Sequence, residues 1–259
     1  MKISFSKYQG AGNDFVIIDN HDKQISLTTE QINFLCNRHF GIGADGLMLL
    51  QHSDNADFEM VYYNADGNES TMCGNGGRCI AAFAKEIGVV QDEMHFVAID
   101  GMHQATILPD GNVALHMQDV EVISFYEDGS VIMNTGSPHY IRWVKNVNQL
   151  DVFKEGRAIR NEQRFMPKGI NVNFAQKQNS FIHIRTYERG VEDETLACGT
   201  GVTSVAIASV ARELGKFEIP VKAVGGDLSV SFTKDTAISA KDIVLTGPAR
   251  AVFSGSIDI

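Results

Sequence analysis

The chain has 259 residues, 44% of them hydrophobic, and a formal net charge of −10. That is enough apolar material for one large core or two smaller ones. The acidity argues against a nucleic-acid backbone or an anionic membrane as the main partner, while a small-molecule substrate stays open because a local site need not follow the global charge.

The opening stretch from Met1 to Tyr8 has no long apolar run and meets Gly10, Gly12 and Asn13 at once, so no signal peptide is expected. No stretch approaches the ~18 apolar residues of a membrane span, and the expectation is a soluble, cytoplasmic protein. Phe15-Val16-Ile17-Ile18-Asp19 reads as a strand. Thr28-Thr29-Glu30-Gln31 supplies a helix start ahead of residues 32–38. Residues 46–51 and 58–63 read as a strand pair, and 76–87 as a helix closed by Gly88. Short strands follow, separated by the turns Pro109-Asp110-Gly111-Asn112 and Glu127-Asp128-Gly129-Ser130. Residues 181–187 alternate as a strand does, and a polar loop then leads to Cys198. A second helix is expected over 201–214; its small residues all round suggest enclosure by sheet. Strands over 228–233, 242–246 and 251–259 finish the chain.

Four cysteines, Cys36, Cys73, Cys79 and Cys198, are too few for a disulfide scaffold in a chain of this length. Without a C-x-x-C or a nearby histidine pair, structural zinc is not expected either. In a reducing compartment all four should be thiols. Cys36 follows Ile32, Phe34 and Leu35 and reads as core, and Cys79 reads as packing.

Cys73 and Cys198 differ. Each heads a glycine-bearing run, Cys73-Gly74-Asn75-Gly76-Gly77 and Cys198-Gly199-Thr200-Gly201, that leads into a helix-like segment. Gly12-Asn13-Asp14-Phe15 precedes Cys73 by 61 residues and Gly136-Ser137-Pro138-His139 precedes Cys198 by 62, which points to two related halves meeting near 112–120. The natural site for such halves is the cleft between them.

Two matched thiols suit removal of a proton from one face of a carbon and its return to the other. Helix N-termini present orphan N–H groups to an anion, and glycines let the backbone approach it closely. The same helix ends lower a thiol's pKa, so one Cys can be thiolate while the other stays thiol. Other readings remain open on residue chemistry alone. A redox disulfide needs Cα atoms within ~7 Å. A cysteine protease needs a His orienting one nucleophile. The glycine runs match neither standard phosphate-loop pattern.

Longer motifs narrow the choice. Gly10-Ala11-Gly12-Asn13-Asp14-Phe15, Asn64-Ala65-Asp66-Gly67 with Cys73-Gly74-Asn75-Gly76-Gly77-Arg78, Glu188-Arg189-Gly190-Val191 with Thr195-Leu196-Ala197-Cys198-Gly199-Thr200-Gly201, and Thr246-Gly247-Pro248-Ala249 strongly resemble the diaminopimelate epimerase family. The resemblance implies an α/β (α+β) fold of two pseudo-symmetric domains, each a β-barrel-like mixed sheet around a central helix, with the active site in the interdomain cleft. It implies an N-terminal half over 1–115, to which a last strand at about 250–259 returns, and a C-terminal half over 116–249. It also implies epimerisation of LL- to meso-diaminopimelate in lysine biosynthesis with no cofactor and no metal, in a possible homodimer.

By the same resemblance Cys73 and Cys198 are the acid/base residues. Backbone of Gly74, Asn75, Gly199 and Thr200 holds the reacting carboxylate. Asn13, Asn64, Asn171, Glu188 and Arg189 bind the substrate's charged groups, and His139 and Glu188 adjust the thiol pKa values. The chain departs from the common pattern at Gly46, where Gln is frequent, at Ser137, where Asn is frequent, and by one extra residue in the loop 191–194. The rivals are a histidine- or proline-type racemase on the same fold and a non-enzymatic amino-acid-binding protein.

Overall fold

In the computed structural model, which describes residues 1–259, one unit comprises Met1–Leu115 with Gly247–Ile259. Its strands are β1 (Lys2–Gly10), β2 (Asn13–Asp19), β3 (Gly46–Gln51), β4 (Phe58–Asn64), β5 (Glu93–Ala98), β6 (Gly101–Ile107), β7 (Val113–His116) and the last strand of the chain, β17 (Arg250–Asp258). They pair in the order β17-β1-β2-β3-β4-β5-β6-β7; β2–β3 and β4–β5 are parallel and the rest antiparallel. The parallel pairs need crossovers, which are supplied by α1 (Thr29–Cys36) between β2 and β3 and α2 (Gly74–Glu86) between β4 and β5.

Helix α1 starts where its local chemistry says it should. Thr28 accepts the Gln31 N–H while the Gln31 side chain returns to the Thr28 N–H, a capping box. The helix ends at Cys36, two residues before the expected limit, because Asn37 turns extended. Helix α2 is buried along most of its length and touches β1, β2, β3, β6 and β17. Cys36 and Cys79 are both buried, and burial pushes the Cys36 thiol up to about 12. The core of this unit includes Phe15, Leu47, Phe58 and Phe96, with the Phe58 and Phe96 rings stacked 5.1 Å apart.

The other unit, His116–Thr246, repeats the plan. Its strands are β8 (Ile123–Phe125), β9 (Val131–Asn134), β10 (Pro138–Trp143), β11 (Asn171–Lys177), β12 (Ile182–Glu188), β13 (Asp193–Thr195), β14 (Gly215–Ala223), β15 (Gly226–Lys234) and β16 (Lys241–Gly247). They pair in the order β8-β9-β10-β11-β12-β14-β15-β16, with β10–β11 and β12–β14 parallel. Helix α3 (Val152–Arg160) crosses from β10 to β11 and α4 (Gly199–Ser209) from β12 to β14. Apart from β13, which has no counterpart strand in the first unit, this is the topology of the first unit, strand for strand and helix for helix. The duplicated glycines fall at equivalent hairpin turns, Gly12 at φ +85° between β1 and β2 and Gly136 at φ +108° between β9 and β10. The fold is of the mixed α+β class expected from the sequence. No helix is long and apolar enough to cross a membrane.

Further sequence expectations need correction. Helix α4 stops at Ser209, not 214: Ala211 takes φ +51° and Arg212, Glu213 and Leu214 are exposed, so a helix enclosed by strands cannot continue through them. Helix α3 was not expected, although Asp151 caps it and Val152, Gly156 and Ile159 form its buried side. The polar loop before Cys198 contains β13, which pairs with the end of β12.

A polar network braces the first unit behind β2. Asp14 binds Lys7 Nζ at 2.7 Å and accepts two bonds from Arg38, at 2.9 and 2.7 Å, while Arg38 also reaches Asp45 at 2.7 Å. Burial opposes ionisation of Asp14, but the hydrogen bonds and charges of Arg38 and Lys7 prevail and hold its carboxyl below the usual range. A depressed folded-state pKa adds stability above the unfolded pKa of about 4 that is lost as pH falls toward the folded value. Asp14→Asn should therefore cost on the order of 1–3 kcal/mol at pH 7 after allowance for the exposed Arg38. Urea unfolding at pH 7 and pH 3 checks this: the gap between wild type and variant should narrow at pH 3.

Candidate active site

Both candidate thiols occupy N-cap positions. Cys73 precedes α2 with φ −104° and ψ 147°, and its Sγ accepts the Gly76 N–H at 3.2 Å. Cys198 precedes α4 with φ −111° and ψ 111°; its Sγ lies 3.4 Å from Thr200 Oγ1. A sulfur at an N-cap lies at the positive end of the helix dipole, which favours thiolate. The first-turn residues on either helix, Gly74 and Asn75 or Gly199 and Thr200, belong to the turn whose N–H groups have no partner within the helix. Glycine is required at 201, where a Cβ would sit 2.5 Å from Asn173 Oδ1.

In the first unit the sequence-expected residues converge by strand register. Asn13 opens β2 and Asn64 closes β4, and β3 joins them: Gly46 pairs with both Phe15 and Asn64. Asn75 Nδ2 donates to Asn13 Oδ1 at 3.3 Å, and Asn13 Nδ2 donates to Asp45 Oδ2 at 2.6 Å. Asn75 Oδ1 accepts from Arg78 Nη2 at 2.9 Å. At Gly46, where a side chain is missing relative to the family pattern, a Cβ would lie 2.6 Å from the Tyr62 ring, which fills that space edge-on to Phe15.

In the second unit His139 is the hub. It is fully buried on β10, paired in register with Asn171 of β11. Asn173 Nδ2 lies 3.0 Å from His139 Nδ1 and 3.1 Å from the Tyr140 carbonyl. The carbonyl contact fixes the amide nitrogen, so Nδ1 accepts and the ring proton sits on Nε2. Nε2 lies 2.9 Å from Thr200 Oγ1 and 3.1 Å from Ser137 Oγ. The chain Asn173–His139–Thr200–Cys198 thus links a strand interior to the thiol. Desolvation by burial pushes His139 down to about 3, so the ring is neutral near pH 7.

Asn171 and Arg189 are joined through the backbone: Asn171 Oδ1 accepts the Arg189 N–H at 2.8 Å and its Nδ2 donates to Ser137 Oγ at 2.9 Å. Glu188, the last residue of β12, accepts from Thr195 Oγ1 at 2.9 Å, and Arg189 Nη1 reaches the Lys168 carbonyl at 3.3 Å. Ser137, although shorter than the common Asn, touches His139, Thr200 and Asn171. Sequence reasoning missed Asp45, Arg78, Asn173 and Thr186, whose Oγ1 donates to Asn173 Oδ1 at 3.0 Å. For Arg78, Asn173 and Thr186 the available signal was a polar residue on an otherwise apolar helix or strand face.

Comparison with known proteins matches the sequence to one family. The family model described as diaminopimelate epimerase matches residues 5–123 and 131–252. A diaminopimelate epimerase of Flavobacterium psychrophilum is 48% identical over 257 residues, covering 97% of this chain and 98% of that one. One from Chlorobaculum tepidum is 45% identical, covering 96% of this chain and 99% of the relative. Among solved structures, a PhzF-family phenazine biosynthesis protein of Bacillus anthracis superposes with a TM-score of 0.77 at 16% identity, with both chains covered fully. A hydroxyproline epimerase from Agrobacterium vitis gives 0.70 at 16% identity, covering 99% of this chain and 92% of that one. At such identities these two structures show the shared fold alone.

The His139 geometry has a consequence for pH. The unfolded chain takes up a proton near pH 6.5 that the folded chain refuses until about pH 3, so this group makes the fold less stable as pH drops through that window. Nitrogen-15 NMR of the imidazoles should show His139 neutral with its proton on Nε2 from pH 5 to 8. A ring that titrates in that range, or carries its proton on Nδ1, contradicts the assignment.

Proposed function

The chain belongs to the diaminopimelate epimerase family, and from that premise we propose that it is a cofactor-independent isomerase converting LL- to meso-diaminopimelate by a two-base mechanism. The observation that carries the proposal is the matched pair of cysteine N-caps, each at the start of a glycine-bearing buried helix. The α-hydrogen of an amino acid is so weakly acidic that a base alone achieves little; the carbanion must be stabilised as it forms.

In the proposed reaction one thiolate takes the α-proton, breaking Cα–H and forming S–H. The first-turn N–H groups of Gly74, Asn75, Gly199 and Thr200 hold the carboxylate into which the electron pair delocalises. The other thiol then gives its proton to the opposite face and becomes the thiolate. Net charge is unchanged, and the reverse reaction exchanges the roles. The amides of Asn13, Asn64 and Asn171 offer both donors and acceptors to the substrate's ammonium and carboxylate groups. Arg189 would fork onto a carboxylate and Glu188 would pair with an ammonium. A second amino-acid head supplies a carboxylate and an ammonium for Arg189 and Glu188 beyond those at the reacting carbon, which favours diaminopimelate over a monoamino acid. His139 and Glu188 would tune the thiols. The product would feed lysine biosynthesis in the reducing cytoplasm, where thiols persist, from a homodimer as the family resemblance implies.

Proton NMR of LL-diaminopimelate with the protein in D2O, without added cofactor, tests this reading. The α-proton signal should be lost as the meso isomer forms. Cys73→Ala and Cys198→Ala should each lower the rate by roughly 10²–10⁴-fold. An unchanged spectrum under reducing conditions, or a variant of near wild-type rate, refutes the mechanism.

A further inference from the structure

Arg78 is the largest fully buried side chain of the protein, and no carboxylate pairs with it. It lies in the second turn of α2, and its three contacts are all with neutral oxygens. Nη1 donates to the Gly74 carbonyl at 3.1 Å, Nη2 to Asn75 Oδ1 at 2.9 Å, and Nε to the Pro248 carbonyl at 3.4 Å. Burying a guanidinium without a counter-ion is costly. Burial pushes its pKa down, yet the group stays protonated. Packing alone does not account for a permanent charge here.

The duplicated topology supplies a control within the same chain. Counting from the cap cysteine, Arg78 of α2 corresponds to Thr203 of α4. Thr203 Oγ1 donates to the Gly199 carbonyl at 3.0 Å, the same bond that Arg78 Nη1 makes to Gly74. A neutral hydroxyl therefore suffices to satisfy that carbonyl. What Arg78 adds is a fixed positive charge, held against the carbonyl of the residue that follows Cys73 and next in sequence to Cys79, and a second arm that reaches Asn75.

That second arm has a directional effect. Because Arg78 donates to Asn75 Oδ1, the Asn75 nitrogen is turned toward Asn13 Oδ1; this leaves Asn13 Nδ2 for Asp45, and Asp45 is held in turn by Arg38. Every amide in the series has one orientation.

We propose that Arg78 is a positioning residue of the Cys73 site: its guanidinium locks the Asn75 and Asn13 amides in the orientation that receives substrate, and its unpaired charge makes Cys73 the resting thiolate. The inference rests on the proposed two-base reading for its role in turnover, but the charge effect is measurable without substrate. Other titratable groups on α2 and on the strands packed against it are Cys79 and Lys85 on the helix, the latter paired with Asp92, His103 on β6 with Asp100 at 3.2 Å, Tyr8 on β1 with Glu86 at the far end of the helix, the Lys7–Asp14 pair of β1 and β2, and the exposed Arg250 on β17, which binds the Gly111 carbonyl. Among these, Arg78 alone is a fully buried cation lacking an acidic partner.

The test is the pH dependence of iodoacetamide alkylation, read separately for the Cys73 and Cys198 peptides by mass spectrometry. Arg78→Met should move the Cys73 midpoint up by about one unit or more, with Cys198 in the same sample as the internal reference. Arg78→Lys keeps the charge but not the fork. It should leave the Cys73 midpoint near wild type and raise KM for LL-diaminopimelate roughly 5- to 10-fold, with kcat less affected. A folded Arg78→Met protein with an unshifted Cys73 midpoint overturns the charge role. If that variant does not fold, Arg78→Lys carries the test: a midpoint shifted by a unit or an unchanged KM overturns the proposal. If wild type alkylates as described but does not epimerise diaminopimelate, the functional reading falls and the electrostatic role of Arg78 stands.

Discussion

Everything at this site follows from burying the start of a helix inside a sheet. The first turn of any helix has N–H groups with no partner in the helix, and water cannot satisfy them once strands surround it. The usual remedy is a Ser, Thr, Asp or Asn cap. Both central helices carry a cysteine instead, whose sulfur is a weaker acceptor; Cys73 still takes the Gly76 N–H, whereas Cys198 makes no side-chain cap bond at all. Glycines at 74, 76, 77, 199 and 201 further lower intrinsic helix propensity. These helices persist because strands enclose them. Local stability has been exchanged for a positive, closely approachable helix end beside a thiol.

The supporting residues are held as firmly as the thiols. Asp14, Lys7, Arg38 and Asp45 form an ion network behind β2 whose last member orients Asn13. On β10 and β11, Asn173 fixes the tautomer of His139, and His139 fixes Thr200. A hydroxyl or amide that contacts substrate is useful only when its donor and acceptor ends are predetermined. On the His139 side, burial of the second partners removes the alternative of rotating toward water.

What the sequence revealed divides along the same line. Helix α1 was legible because Thr28 and Gln31 form a local capping box, and β2, β3 and β4 because their apolar runs end in turn residues. The sequence signals place the start of α2 two residues late: cysteine is not among the common caps, and three glycines in its first four residues mimic a loop. The end of α4 was overrun because residues 210–214 carry no proline or early glycine, and the left-handed Ala211 that stops the helix has no sequence signature. The two cysteines were visible as motif heads. Their partners were not, because His139 meets Asn171 and Asn173 only through parallel pairing of β10 with β11, and Arg78 shows its role only once α2 is enclosed. Local signals gave the elements, while the polar contacts depend on strand register.

The duplication explains why the two halves can share a scaffold and differ in chemistry. Equivalent register positions hold Phe15 and His139 on β2 and β10, Gly46 and Asn171 on β3 and β11, and Asn64 and Glu188 at the ends of β4 and β12. Equivalent helix positions hold Asn75 and Thr200, then Arg78 and Thr203. Behind Cys73 lie apolar rings and a buried cation; behind Cys198 lie a neutral imidazole and hydroxyls. The proposed two-base epimerisation would need thiols placed alike but ionised differently, since two thiolates leave nothing to donate and two thiols nothing to abstract. Geometry must therefore stay symmetric while the electrostatics does not. In that proposal the asymmetry would also be modest, because the reverse reaction exchanges the roles of the thiols. Each pKa unit by which one thiolate is favoured adds about 1.4 kcal/mol to the opposite direction. A cation held at the second turn of the helix, rather than against the sulfur, is the kind of bias that requirement permits.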